Sequence, residues 1–261
     1  YLLWRFVTFC YDDCSGNPVK HKKTIMKVVI CGGHLSPALA LIEKLEKEKG
    51  IEIIFFGRKH SAEGSKKMSA EHQVLSHKNI KFYEITAGRL QRKFTRYTLI
   101  SLVKVPIGFV QCFIFLILIR PKIVISFGGY LSLPVVFSAW LLGIRAITHE
   151  QSSVPGLANK INSLFVEKIY LSWPQTTKYF DTKKVEVIGN LTRESIFSKK
   201  AQLKKITDFI NSSKNLIYVT GGNQGSHFIN RLIMGSKKLL SNYSIIHQLG
   251  PLNYKGDFDH A

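Results

Sequence analysis

Short apolar runs recur along this chain, and between most of them lies a stretch whose apolar positions repeat at helical spacing. Residues 27–31 read as a buried strand. Beyond them Ala38, Leu41, Ile42 and Leu45 fall on one helical face, opposite Glu43, Lys44, Glu46 and Lys47, until Gly50 stops the helix. Residues 51–56 form a second apolar run, closed by Gly57, with Arg58 and Lys59 at its carboxyl edge. A helix is expected over 62–72 and a third strand over 80–86. The stretch 97–119 is strongly apolar, yet Lys104, Pro106 and Gln111 interrupt it, and no unbroken run reaches the roughly 20 residues of a membrane span. It is expected as a core helix. Strands follow at 122–126, 146–150, 168–173 and 185–188, with helices over 135–142 and 156–166. After Arg193 the pattern loosens into a lysine-bearing helix, 202–211, then a strand at 216–220, a helix running through Leu240 and a strand at 244–249. Strands alternating with helices imply parallel sheets, and the order implies an α/β chain of two doubly wound halves. The expected division is an extension over 1–25, a first domain over 26–190, and a linker with the start of a second domain over 191–261.

Three strand ends carry glycine turns that open into helices: Gly32 and Gly33, Gly128 and Gly129, and Gly221, Gly222 and Gly225. Glycine lets the backbone turn sharply and lets a ligand approach its N–H groups. Ser36 is expected to cap the first helix with Pro37 at its first position, and Ser132 and Pro134 repeat that design after the fourth strand. A glycine turn leading into a helix N-terminus makes an anion site, because unpaired N–H groups and the positive dipole end face the ligand. The same segment also reads as an ordinary α/β turn carrying a surface histidine, His34. His149, Glu150 and Gln151 are delivered to the carboxyl end of their strand, the edge where open α/β sheets bind ligands.

Composition adds charge to this picture. Lys and Arg number 37 against 17 Asp and Glu, a net charge of +20 that favours anionic ligands or surfaces. Residues 87–96 interleave Arg89, Arg92, Lys93 and Arg96 with Leu90 and Phe94, which suits an anionic membrane surface or a solvated charged loop. The four cysteines suggest no disulfide framework, and a reducing, cytoplasmic setting is expected. Residues 1–25 lack the order of a signal peptide, and Met26 is the expected start. Cys10, Cys14 and His21 lack a fourth partner for a metal cluster, and Asp257 with Asp259 lies outside any expected turn, so no metal and no cofactor are expected. A basic nucleic-acid-binding protein remains an alternative on charge alone, but no binding motif accompanies it.

Five segments in order, GGHLSPALA (32–40), GGYLSLPVV (128–136), HEQSSVPGLANK (149–160), GNLTR (189–193) and GGNQGS (221–226), give the chain a resemblance to the MurG family of N-acetylglucosaminyltransferases. The resemblance implies a GT-B fold of two Rossmann-like doubly wound domains, the second truncated here. It implies transfer of N-acetylglucosamine from UDP-N-acetylglucosamine to an undecaprenyl-pyrophosphoryl muramoyl pentapeptide (lipid I), with inversion and without metal, in peptidoglycan synthesis. Another GT-B lipid glycosyltransferase is the nearest alternative. His34 is the candidate base, with Glu150 the runner-up. Donor contacts are expected from Gly32, Gly33, Ser152, Arg193, Asn223, Gln224 and Gly225, and acceptor contacts from Gly128, Gly129, Tyr130, Ser132, Gln151 and Asn159. Peripheral attachment to the cytoplasmic face of the cell membrane is implied through Arg89, Leu90, Arg92, Lys93, Phe94 and Arg96. The chain departs from the family in its shorter first glycine loop, in Ser152 for asparagine, in Leu191-Thr192 for Pro-Val and in Asn223 for serine. The family's uridine-contacting segment and acidic ribose ligand would fall beyond Ala261, so much of the donor site is expected to be missing.

Overall fold

The computed structural model describes residues 25–60, 68–78, 80–86, 96–198, 204–213, 215–222 and 225–250, apart from the side chains of 96–104, 195, 198 and 205. The chain divides between Phe197 and Ser198 into two units.

The first unit is built on seven parallel strands: β1 (Met26–Cys31), β2 (Ile51–Gly57), β3 (Lys81–Glu84), β4 (Ile123–Ser126), β5 (Arg145–Glu150), β6 (Lys168–Leu171) and β7 (Val185–Val187), in the order β3-β2-β1-β4-β5-β6-β7. Parallel sheets need both faces covered, and β1 shows how the sequence provides for this. Its successive side chains alternate between two cores. Val28 and Ile30 join one core under helix α1 (Leu35–Leu45), while Val29 and Cys31 join the other with residues of α3 (Arg96–Ile119) and α4 (Ser132–Leu141). Helix α2 (Ala70–Ser76) adds Leu75 to the first core, and its cap Ser69 accepts from the His72 amide. Helix α5 (Leu157–Asn162) and a 3₁₀ helix (Pro174–Tyr179) connect β5, β6 and β7.

Helix α3 runs without a break through Pro106, and among the described residues no helix is long and apolar enough to cross a membrane. Its last carbonyls meet Lys27, whose Nζ donates to Ile119 O at 3.2 Å. Several side chains of α3 and α4 remain exposed, among them Ile107, Val110, Ile114, Ile117, Leu118 and Trp140.

The capping expectations need correction. His34, in an extended conformation, occupies the N-cap of α1, which begins at Leu35, so Ser36 and Pro37 lie inside the first turn. Proline is tolerated there because the first-turn N–H groups have no helical partner. Likewise Ser132 is the first residue of α4, with Leu131 at the cap.

The second unit follows the short helix α6 (Ser195–Ser198) and contains α7 (Lys204–Ser212), β8 (Leu216–Thr220), α8 (His227–Gly235), α9 (Lys237–Asn242) and β9 (Ser244–Gln248), with β8 and β9 paired in parallel. The single helix expected through Leu240 is two, because Ser236 (φ −91°, ψ 84°) leaves helical geometry between them. Among the described residues every buried apolar side chain belongs to the first unit, between Val28 and Leu191.

Candidate active site

The chain leaves β1 toward β2 on one side and returns through α3 to β4 on the other, so the turns after β1 and β4 flank the point where strand order reverses. Open α/β sheets bind ligands at such a switch point. Both turns are glycine, and they interlock. Gly33 N donates to Gly128 O at 2.9 Å. Gly32 has φ of +136°, and a Cβ there would meet the Phe127 backbone at 2.7 Å. A Cβ on Gly129, at φ +79°, would stand 3.0 Å from Gly33 N. The Gly33 N–H therefore serves the clasp and is spent before any ligand arrives, which revises the expectation that this amide faces a phosphate. Beside the clasp lies a cavity of about 20 Å³, lined among others by Gly57, Arg58 and Tyr130. That is room for about one water. Arg58, which sequence reasoning did not include among the ligand contacts, places its guanidinium over the Tyr130 ring at 5.2 Å. Its position just past the end of β2 was the available signal.

His34 is half-buried at the head of α1, and its side chain makes no capping bond. A histidine at this position sits at the positive end of an 11-residue helix. Close enough to interact with it electrostatically is His149, at the end of β5, which is only 1% exposed. Burial pushes the His149 imidazole down to about 4, while a hydrogen bond to the Gly189 backbone and the charge of Glu150 pull it partly back. Neutral at ordinary pH, it packs 5.8 Å from the Phe127 ring and meets Ser172 Oγ at 3.3 Å. His149 thereby ties the 189–191 segment to the sheet edge. That segment leads to Arg193, half-buried with its Nε lacking a hydrogen-bond partner among the described residues, and to Glu194, which pairs with Lys44 in the last turn of α1 and Lys47 just beyond it.

Glu150 is 2% exposed, and its carboxylate accepts from Ser152 N at 2.9 Å, Gly156 N at 3.1 Å and Asn159 Nδ2 at 2.9 Å. All three donors belong to the loop and helix that follow β5, so this carboxylate shapes that loop. Asn159, also 2% exposed, accepts from Thr148 Oγ1 at 2.9 Å and sits against Gly128. Ser132 points inward too: its hydroxyl donates to Gly129 O at 2.7 Å and accepts from Asn162 Nδ2 at 2.7 Å. Ser152 and Gln151 are half-buried at the same edge, where the Gln151 carbonyl accepts from Trp173 Nε1 at 2.9 Å. The structure thus gathers Gly32, Gly33, Gly128, Gly129 and Tyr130 at one switch point, and gives Asn159 and Ser132 to the scaffold behind it.

Gly225 lies in the second unit, at φ +75°, just before Ser226, whose hydroxyl caps α8 by accepting from Ile229 N. Asn223, Gln224, Arg89, Leu90, Arg92, Lys93 and Phe94 lie outside the described residues, and Arg96 begins α3 with its side chain undescribed. Among the described residues no group of three or more His, Cys, Asp or Glu side chains is placed to hold a metal. Cys31 and Cys112 are buried thiols, the latter pushed up to about 12 by burial alone.

A doubly wound sheet with glycine turns and a helix N-terminus at its switch point defines a Rossmann-like domain of the ligand-binding kind. The chain belongs to glycosyltransferase family 28, whose N-terminal domain matches residues 28–171. It is 35% identical over 221 residues to the UDP-N-acetylglucosamine–N-acetylmuramyl-(pentapeptide) pyrophosphoryl-undecaprenol N-acetylglucosamine transferase of Borrelia hermsii, covering 84% of this chain and 58% of that protein. The Treponema pallidum transferase of the same name is 32% identical over 228 residues, covering 85% of this chain and 57% of that one. The chain thus spans somewhat under three fifths of these curated relatives. Among solved structures, Acinetobacter baumannii MurG aligns with a TM-score of 0.57 at 22% identity, covering 90% of this chain and 62% of that one. The UDP-GlcNAc 2-epimerase of Neisseria meningitidis, bound to UDP-GlcNAc, aligns equally well at 16% identity, with coverage of 90% and 69%. At these identities the likeness shows the fold.

Proposed function

We propose that this chain serves the transfer of N-acetylglucosamine from UDP-N-acetylglucosamine to a muramyl pentapeptide carried on pyrophosphoryl-undecaprenol, with residues 26–190 holding the lipid-linked acceptor. The observation that carries this reading is the interlocked pair of glycine turns beside the head of α1, a prebuilt switch-point edge in a chain of glycosyltransferase family 28. In the proposed reaction the 4-hydroxyl of the muramoyl sugar attacks the anomeric carbon with inversion. The new C–O bond forms as the bond to UDP breaks, and UDP departs with the electron pair. His34 takes the hydroxyl proton as general base. Glu150, with its carboxylate committed to three donors, supports the loop that carries Gln151 and Ser152. The half-buried guanidinium of Arg193 offers a cation to the departing diphosphate, and Asn223, Gln224 and Gly225 remain the proposed donor contacts of the second unit. No added metal is required in this scheme.

A lipid-linked acceptor stays in its bilayer, so the proposal includes peripheral docking at the cytoplasmic membrane surface. The exposed apolar side chains of α3 and α4 support it, together with the basic and apolar residues Arg89, Leu90, Arg92, Lys93, Phe94 and Arg96.

The test is transfer of labelled N-acetylglucosamine to a polyprenyl-pyrophosphoryl acceptor by a protein containing this chain with a donor domain of full family length. Turnover should persist in EDTA, and His34→Ala should lower kcat by about 10² to 10⁴ while leaving KM for the UDP-sugar nearly unchanged. Absent transfer, loss of activity in EDTA with recovery on Mn²⁺, or full turnover by the variant would each overturn the corresponding part.

A further inference from the structure

A second cluster of cations lies where the reading above makes no use of it. Lys160 sits in the last turn of α5, which has run back from the carboxyl edge of the sheet, and Lys184 immediately precedes β7, its carbonyl accepting from Ile169 N. The chain reaches Lys184 through the 3₁₀ helix that ends at Lys178 and Tyr179. The three lysines therefore meet near the start of β6 and β7, at the sheet edge opposite the glycine turns. Between them is a cavity of about 540 Å³, within the ~300–1,000 Å³ range of small-molecule sites.

The cluster is ordered by an aromatic ring. Lys160 Nζ lies 5.0 Å and Lys178 Nζ 5.2 Å from the centroid of Tyr179. Two ammonium groups on one ring attract its π face and repel each other, so the ring concentrates like charge. Lys184 is held in place by donating to Ser163 O at 3.1 Å. Of these three lysines none has a carboxylate within ion-pair distance among the described residues, although Lys44, Lys47, Lys78, Lys81 and Lys168 elsewhere on this unit all do. One carboxylate, Asp181, lines the cavity, with one oxygen accepting from the Lys183 amide at 3.0 Å. Three ammoniums against one carboxylate leave a cavity of positive potential. Tyr179 and the exposed Leu164 supply an apolar wall beside it.

We propose that this cavity between α5, the 3₁₀ helix and β7 binds a phosphate-bearing ligand, its phosphate gripped by Lys160, Lys178 and Lys184 and its neighbouring apolar part lying along Tyr179. A free polyphosphate and the headgroup of a phospholipid share that chemistry.

Amide chemical shifts of the whole chain, labelled with ¹⁵N, separate this site from the glycine turns residue by residue, so the two readings stand or fall independently. Inorganic pyrophosphate titrated at constant ionic strength should move residues 160–164 and 178–184 with saturation, and Lys160→Gln/Lys178→Gln should weaken that response at least about tenfold while leaving the thermal melt and any shifts at 32–34 unchanged. Monomeric dihexanoyl phosphatidylglycerol supplies the other arm: saturation by it and not by pyrophosphate would assign the phosphate to a lipid. No saturable shift with either probe, or equal shifts in wild type and variant, would overturn the proposal.

Discussion

His149 carries one of the larger single-residue terms open to measurement. Its imidazole is held near 4 by burial, against about 6.5 in an unfolded chain. Between those values the unfolded state binds a proton that the folded state refuses, so stability is full above about pH 6.5, falls as pH drops through the window, and levels off below about 4. Glu150 and His34, the charged or titratable neighbours that act on it, oppose each other in sign. Denaturant unfolding at pH 7 and pH 5 should differ by about 2 kcal/mol from this residue, and His149→Gln should remove that share of the slope. An unaltered slope in the variant would mean the ring is solvated. The sequence placed His149 at the right strand end without showing that it is buried, because burial depends on Phe127 and the 189–191 segment, which arrive from elsewhere in the chain. The same limit governs Asn159, Ser132 and Glu150. Their polar side chains look like ligand contacts in the motif, yet partners distant in sequence or hidden in the turn claim them first. The glycines were more legible as turns: Gly32, Gly128 and Gly129, at strand ends before helices, all take positive φ.

At the scale of elements, the strands were read well and the helix ends poorly. Apolar runs such as 53–56 and 123–125 are buried in a two-sided parallel sheet, which constrains them from both faces. Helix starts obey local competition among cap candidates, and here an extended His34 and Leu131 win over Ser36 and Ser132. Helix α3 shows a different ambiguity, since its composition suits both a core and a bilayer surface. The structure divides it: Cys112, Leu116 and Ile119 are buried against the sheet, while Ile107, Val110, Ile114, Ile117 and Leu118 form an exposed stripe. If that stripe meets lipid, co-sedimentation with phosphatidylglycerol vesicles should fall at least about tenfold in Ile114→Glu/Leu118→Glu, the loss expected when two side chains worth about 1.5–3 kcal/mol each no longer insert. Equal sedimentation by this variant would remove α3 from the docking surface. Both positions are already exposed, so the fold should tolerate the change.

For the molecule as a whole, stability and charge are distributed unevenly. The first unit holds both apolar cores, whereas the second leaves Tyr218, Phe228, Leu232 and Leu240 open to solvent around the pair β8 and β9. Among the described residues β8 and β9 pair only with each other, and strand edges without partners invite other chains. The net charge of +20 opposes such contacts, a repulsion that reaches about 10 Å in 0.1 M salt and about 3 Å in 1 M. Colloidal behaviour should therefore run against custom for a basic protein. High salt, the usual means of stripping nucleic acid from such a surface, screens the repulsion while leaving the apolar attraction of the β8–β9 face intact. The hydrodynamic radius measured by light scattering should grow as sodium chloride rises from 0.05 to 1 M, and a radius that stays constant or shrinks would show that this face is covered in solution. A buffer chosen for purity would then be the one in which the protein crowds together.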